Sequence, residues 1–170
     1  MDFFRRRTIR KYRNVKVEKS KINEIIRTAL VSPSGRNQKP YEFIIVENDE
    51  TLEKLSMVKS SGADMVKDAP LAIVVLGKYE HSNTWIEDCS IASTMIQLKS
   101  YELGLGTCWV QIYGRSSATG ESSEYLVREL LNIPEEYKVL NIITIGYPGE
   151  SKRSYAEEDM DLSKVHYEKY

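Results

Sequence analysis

The run Leu71-Ala72-Ile73-Val74-Val75-Leu76 most constrains what this chain can fold into. Six successive apolar residues leave a strand with no polar face, so both of its faces have to be covered by other parts of the chain. The run is far short of the ~20 residues that a membrane-spanning helix needs. A second long apolar feature follows it. From Thr84 to Leu103 the spacing predicts a helix in which Ile86, Cys89, Ala92, Ile96, Lys99 and Leu103 track one stripe, and Ile91, Met95 and Leu98 widen it. A helix coated this broadly belongs at the centre of a fold.

The remaining elements arrange themselves around this pair. Ile22, Ile25, Ile26, Ala29 and Leu30 mark a helix over Glu18 to Leu30, ended by Ser32-Pro33-Ser34-Gly35. The residue before a proline leaves the α region and Gly35 has access to positive φ, so 32–40 reads as an irregular loop. Strands are expected at Glu42 to Val46, Thr107 to Ile112 and Val139 to Tyr147. A short helix capped by Asn48 or Asp49 is expected through about Ser60, and another over Glu124 to Leu131. Helices and strands mix without a clean βαβ series, which predicts an α+β domain with a small mixed or antiparallel sheet flanked by helices. At 170 residues the chain has the length of one domain. From residue 151 to 170 apolar residues are too sparse for a separate core; this stretch reads either as disorder or as an arm whose tyrosines lie on a partner surface, and we take the arm.

Composition removes several classes. Hydrophobic residues make up 41% of the chain, too many for a disordered protein. Two cysteines, Cys89 and Cys108, and two distant histidines, His81 and His166, give neither a disulfide framework nor metal-ligand spacing, so no metal site is expected. The opening Met1-Asp2-Phe3-Phe4-Arg5 lacks the apolar core of a secretory signal, and a cytoplasmic protein is the expectation.

Charge is unevenly placed. The formal net charge is −1, yet residues 1–16 hold seven basic side chains against Asp2 alone. The cluster Arg5-Arg6-Arg7-Thr8-Ile9-Arg10-Lys11-Tyr12 leaves three readings open: a solvated basic tail, a partly enclosed anion site, or an arm that contacts nucleic-acid phosphates. The 32–40 loop, with its hydroxyls and amides, is suited to cup a polar heterocycle or merely to stop a helix. Gly104-Leu105-Gly106 follows a helix and precedes a strand, the reverse of a dinucleotide fingerprint, and reads as a helix C-cap and turn. Neither cysteine shows a cue for activation, and no nucleophile stands beside a base. Enzyme chemistry in this chain therefore calls for a bound cofactor.

Together, four segments resemble the FMN-dependent nitroreductase family: Arg6-Arg7-Thr8-Ile9-Arg10-Lys11-Tyr12, Pro33 through Phe43, Leu103-Gly104-Leu105-Gly106-Thr107-Cys108-Trp109, and Ile145-Gly146-Tyr147-Pro148. The resemblance runs over residues 1–150, the expected FMN-binding domain, with 151–170 as a C-terminal arm on the partner. It implies an intertwined homodimer, with no nucleic acid or membrane as partner. Each FMN site would take Arg6, Arg7, Thr8 and Arg10 from one chain and Pro33, Ser34, Gly35 and Asn37 from the other. It implies Arg6 at the FMN phosphate, Arg10 at the pyrimidine end of the ring, Trp109 beside the cofactor, and Lys152 or Arg153 as a further phosphate ligand. A backbone N–H at Gln111 or Ile112 would face flavin N5, and no side chain would act as acid or base. The activity implied is ping-pong transfer from NADH or NADPH to a nitroaromatic, quinone or related acceptor. The alternative is a flavin-storage protein without turnover, with Ile112 crowding N5.

Overall fold

The structure, a computed structural model, describes residues 2–170. Four strands, β1 (Tyr41–Val46), β2 (Leu71–Lys78), β3 (Gly106–Gln111) and β4 (Tyr137–Gly146), form one sheet in the order β1-β2-β4-β3. Every neighbouring pair is antiparallel. Among the described residues a parallel pairing enters only as an isolated bridge from Thr8 to Thr107, so of the two sheet types expected the structure has the antiparallel one. The four α-helices are α1 (Lys19–Leu30), α2 (Asp49–Ser56), α3 (Trp85–Glu102) and α4 (Ser123–Leu131).

The apolar run is β2, an interior strand, and its alternation sets the layers. Leu71, Ile73 and Val75 pack with Ile22 and Ile25 of α1 and Cys89, Ala92 and Ile96 of α3. Ala72, Val74 and Leu76 face the other way, onto Leu52 and Leu55 of α2 and Val127 of α4. All six run residues are buried, and full burial of a Leu or Ile stabilises the fold by roughly 2 kcal/mol. α2 begins where expected, with Asn48 Oδ1 accepting the Thr51 N–H at 2.9 Å. It ends at Ser56 rather than Ser60, because Ser60 is drawn off to donate its N–H to the Ser116 carbonyl at 3.0 Å and Gly62 turns the chain at φ +74°.

Candidate active site

Residues 6–13 cross the ends of β3 and β4 as a strap. The Ile9 N–H donates to Thr107 O at 2.9 Å, the Arg13 N–H to Tyr147 O at 2.9 Å, and the Gly149 N–H to Lys11 O at 2.8 Å. Two glycines make this crossing possible. A Cβ on Gly106 would stand 2.7 Å from Ile9 Cβ, and one on Gly146 would stand 2.7 Å from Pro70 Cδ and 2.9 Å from Tyr12 Cδ1. Only Gly104 is the helix cap, at φ +78°; Gly106 is the first residue of β3 and serves close approach rather than a turn. Tyr12 locks the strap from below, donating to Ile9 O at 2.7 Å and lying 2.6 Å from Thr144 Oγ1. Burial pushes its phenol well above the usual range. A freely solvated basic tail is thereby overturned: the backbone between the arginines is laced to the sheet.

Glu150 pins the same strap. Its Oε1 accepts the Arg10 N–H at 2.6 Å and the Lys11 N–H at 3.3 Å, with Lys152 Nζ 3.6 Å away. The Arg10 bond, aided by Lys152, holds this carboxyl below the usual carboxylate range. The side chains of Arg6, Arg7 and Arg10 make no ion pair among the described residues, so their charges stand ready for an external anion. Arg10 and Lys152 face Cys108, but burial still raises that thiol. Burial likewise lifts the Cys89 thiol to about 12, and its S–H points at Leu76 O at 3.3 Å. Neither cysteine is an activated nucleophile. Arg153 lies farther out, paired with Asp159 at 2.6 Å, and the Tyr155 N–H donates to Phe4 O at 2.8 Å. The first part of the arm thus lies on the chain's own N-terminus rather than wholly on a partner.

A prediction follows from Glu150. Because its folded pKa is depressed, its contribution to stability is present above the unfolded carboxylate pKa of ~4.3 and is lost as pH falls through the lower folded value. Denaturation at pH 7 should find Glu150→Gln less stable than wild type, and the gap should close in acid below pH ~4. A gap that persists at low pH would show that the charge is not what holds the strap.

β3 supplies the next group. The Ile112 N–H donates to Leu140 O at 3.1 Å and the Ile112 side chain is fully buried in the core with Val127 and Val139. Antiparallel alternation then turns the Gln111 N–H to the outer edge, the edge on which Thr107 O receives the strap. Of the two expected backbone donors, only Gln111 is free to face a ligand, and Ile112 crowds nothing outside. The Gln111 side chain is fixed as well: Trp109 Nε1 donates to its Oε1 at 2.9 Å, and its Nε2 donates to Tyr113 O at 3.1 Å.

The 32–40 loop is built differently from its expected form. Positive φ falls on Arg36 (51°), Asn37 (56°) and Lys39 (48°), not on Gly35. Gly35 is required for space, since a Cβ would stand 2.4 Å from Thr84 Oγ1. The loop is seated on Asp88, a carboxylate 2% exposed near the start of α3. Asp88 Oδ1 accepts the Gly35 N–H at 2.7 Å, while Oδ2 accepts the hydroxyls of Ser82 at 3.0 Å and Thr84 at 3.1 Å. Lys39 N–H to Ser34 Oγ at 2.8 Å and Tyr41 Oη to Ser32 O at 2.6 Å complete the seat. The sequence singles out neither Asp88 nor Glu150; an acid at the head of the most apolar helix was the one available signal, and Glu150 is 140 residues from the Arg10 that it meets.

The structure gathers the strap, β3 and residues 150–153 on one side, and leaves Pro33, Ser34, Gly35 and Asn37 elsewhere. Gly35 sits against Asp88, whereas Thr107, the strap's partner, meets Gln97 at 3.4 Å, and the nine residue steps from Asp88 to Gln97 span about 14 Å of helix. No hydrogen bond joins residues 6–10 to 33–37 among the described residues. A groove of about 620 Å³ lies along Arg10, Lys11, Tyr12 and Arg13 of the strap, but with Asp49, Lys67 and Asp68 opposite it is lined mostly by charges and does not suit a flat aromatic ring.

Comparison with known proteins gives this arrangement a context. The family model described as "Nitroreductase family" matches residues 4–61 and 57–147. The chain belongs to the nitroreductase family. Among solved structures, an FMN-dependent nitroreductase from Clostridium difficile R20291 is 42% identical, with a TM-score of 0.96 over 98% of this chain and 97% of that one. A Methanothermobacter thermautotrophicus protein with the provisional name NADH dehydrogenase/NAD(P)H nitroreductase is 38% identical, covering 97% of this chain and 84% of its own length. A Bacteroides thetaiotaomicron structure under the same provisional name is 32% identical, with a TM-score of 0.89 over 99% and 95% of the two chains. This nitroreductase is accordingly an α+β oxidoreductase, and no helix among its described residues is long and apolar enough to cross a membrane.

Proposed function

We propose that this nitroreductase binds FMN and uses NADH or NADPH to reduce nitroaromatic, quinone or related acceptors by a ping-pong mechanism. The observation that carries the reading is the juxtaposition of three arginines with no ion pair among the described residues, on a strap hydrogen-bonded to the sheet, with the outward N–H of Gln111 on the adjoining strand edge. A cofactor with a phosphate at one end and a ring that gains negative charge at the other matches both. Arg6 and Thr8 bind the phosphate, joined by Lys152 or Arg153. Arg10 holds positive charge at the pyrimidine end, where negative charge grows on reduction. Gln111 donates its N–H at N5, and Trp109 keeps the Gln111 side chain from swinging across it. When bound, FMN supplies the two-electron chemistry that the side chains lack. The protein orients donor and acceptor in turn over one ring face, which makes them compete.

A homodimer with composite sites is part of this proposal. The loop and the strap stand apart along α3, so a cofactor touching both draws them from two chains. α3 also exposes Ile86 and Ile91, and the end of α1 exposes Leu30 and Val31, apolar side chains that a second copy would cover. Leu162, Val165 and Tyr167 of the arm are exposed and take the partner as their support. Two buried free thiols fit a cytoplasmic setting.

The test is spectroscopic. Purified protein should be yellow or turn yellow with added FMN, bleach with NADH or NADPH without oxygen, and recover with a nitroaromatic or quinone. Initial rates should give parallel double-reciprocal lines, with inhibition by excess acceptor. Protein that never takes up FMN sinks the reading, and flavin that binds but does not bleach restores the storage alternative.

A further inference from the structure

We propose that Tyr155 and Asp159 are positioning residues that hold Arg7 and Arg153 together as a clamp for the phosphate monoester of the bound flavin. The inference rests on the FMN reading above and extends it to side chains of the arm. Five contacts carry it, three between the two ends of the chain and two within the arm. The Arg7 guanidinium lies over the Tyr155 ring, 4.4 Å from its centroid. Arg7 Nη1 donates to the Arg153 carbonyl. Arg153 Nη2 donates to Asp159 Oδ1 at 2.6 Å, and Asp159 Oδ2 accepts the Ala156 N–H at 2.8 Å. The Tyr155 N–H donates to Phe4 O at 2.8 Å and ties this segment to the start of the strap.

The geometry suits an anion with several oxygens. A guanidinium stacked on an aromatic ring uses its face and leaves its N–H edge available. Arg7 commits one donor to a carbonyl and Arg153 one to a carboxylate, so both forks keep most of their donors for a tetrahedral oxyanion. Arg7 and Arg153 carry like charges, and Asp159 offsets their repulsion; the Arg153 bond first, then the Ala156 N–H and the charge of Arg7, hold its carboxyl below the usual range. Both arginines are long and flexible, and fixing them before the ligand arrives removes an ordering cost from binding. Phe3, Phe4, Tyr155 and Met160, with Asp159, line a mostly apolar notch of about 230 Å³ beside these contacts, so both ends of the chain contribute to one surface there.

The test compares FMN with riboflavin, which has the same ring and no phosphate. Full-length protein is stripped of flavin and titrated with each, following flavin fluorescence, for wild type, Tyr155→Leu, Tyr155→Phe and Asp159→Asn. The expected result is about tenfold weaker FMN binding in Tyr155→Leu and Asp159→Asn, riboflavin unchanged within about twofold, and wild-type behaviour in Tyr155→Phe, which keeps the ring. Inorganic phosphate should compete with FMN less well in the two weakened variants than in wild type. Equal weakening of both flavins would reduce the arm to a structural support and overturn the proposal. Tighter FMN binding in Asp159→Asn would overturn it in the other direction, making Asp159 a competitor of the phosphate. Wild type that binds neither flavin would bring down the FMN reading itself, a result distinct from either of these.

Discussion

Gly106→Val is expected to abolish tight FMN binding while leaving the sheet intact. The new side chain begins with a Cβ 2.7 Å from both Cβ and Cγ1 of Ile9, so either β3 or the strap that carries Ile9 has to move. Gly106 does not sit at positive φ, so the cost is steric rather than conformational. The strap is the part that moves: scattered backbone bonds and the side chains of Tyr12 and Glu150 hold it to the strand ends, whereas β3 is paired with β4 over its whole length. Displacing the strap withdraws Ile9 from the core, a loss of about 2 kcal/mol in stability. It also removes Arg6, Thr8 and Arg10 from the cofactor together. Two charge-assisted contacts at ~1.5 kcal/mol each amount to about 3 kcal/mol, or at least a hundredfold in Kd. Far-ultraviolet dichroism should be unchanged while FMN titration shows the loss. Retention of wild-type FMN affinity would mean that the strap does not carry the cofactor.

That glycine also shows what sequence alone conveyed. The layered fold was legible because it depends on local pattern: the alternation of β2, the stripe of α1, the Asn48 cap and the Gly104 cap all lie within a few residues of their cause. The site was legible only as residue types. What positions those residues comes from far away along the chain. Glu150 meets Arg10 across 140 residues, and Asp88 meets Gly35 across 53. In both cases a carboxylate side chain receives a backbone N–H, and a backbone donor leaves no mark in a sequence. The same reason hid the left-handed turn: Arg36 and Lys39 are poor candidates for positive φ, and only their seat explains them. The choice between Gln111 and Ile112 needed the register of β3 on β4, since a shift of one residue exchanges inward and outward N–H groups.

Asp88→Ala is expected to be the most damaging single change to the loop. Three donors converge on this carboxylate: the Gly35 N–H and the Ser82 and Thr84 hydroxyls. Leaving them unmade costs about 1 kcal/mol each, about 3 kcal/mol in all, which lowers Tm by about 10 °C in a domain of this size. Backbone conformation adds a push in the same direction. Arg36, Asn37 and Lys39 all hold positive φ, at roughly 1 kcal/mol apiece for residues other than glycine, so a loop released from its seat relaxes away from the bound shape. Asp88→Asn separates shape from charge. Its carbonyl still accepts the Gly35 N–H, its amide donates to Ser82 Oγ, and Ser82 turns its hydroxyl toward Thr84, 3.1 Å away, so the loss should be near 1 kcal/mol. Equal losses in the two variants would show that the negative charge, not the set of bonds, seats the loop. On the reading in which this loop cups the flavin heterocycle, FMN and riboflavin should weaken alike in Asp88→Ala, opposite to the phosphate-selective loss expected from Tyr155→Leu.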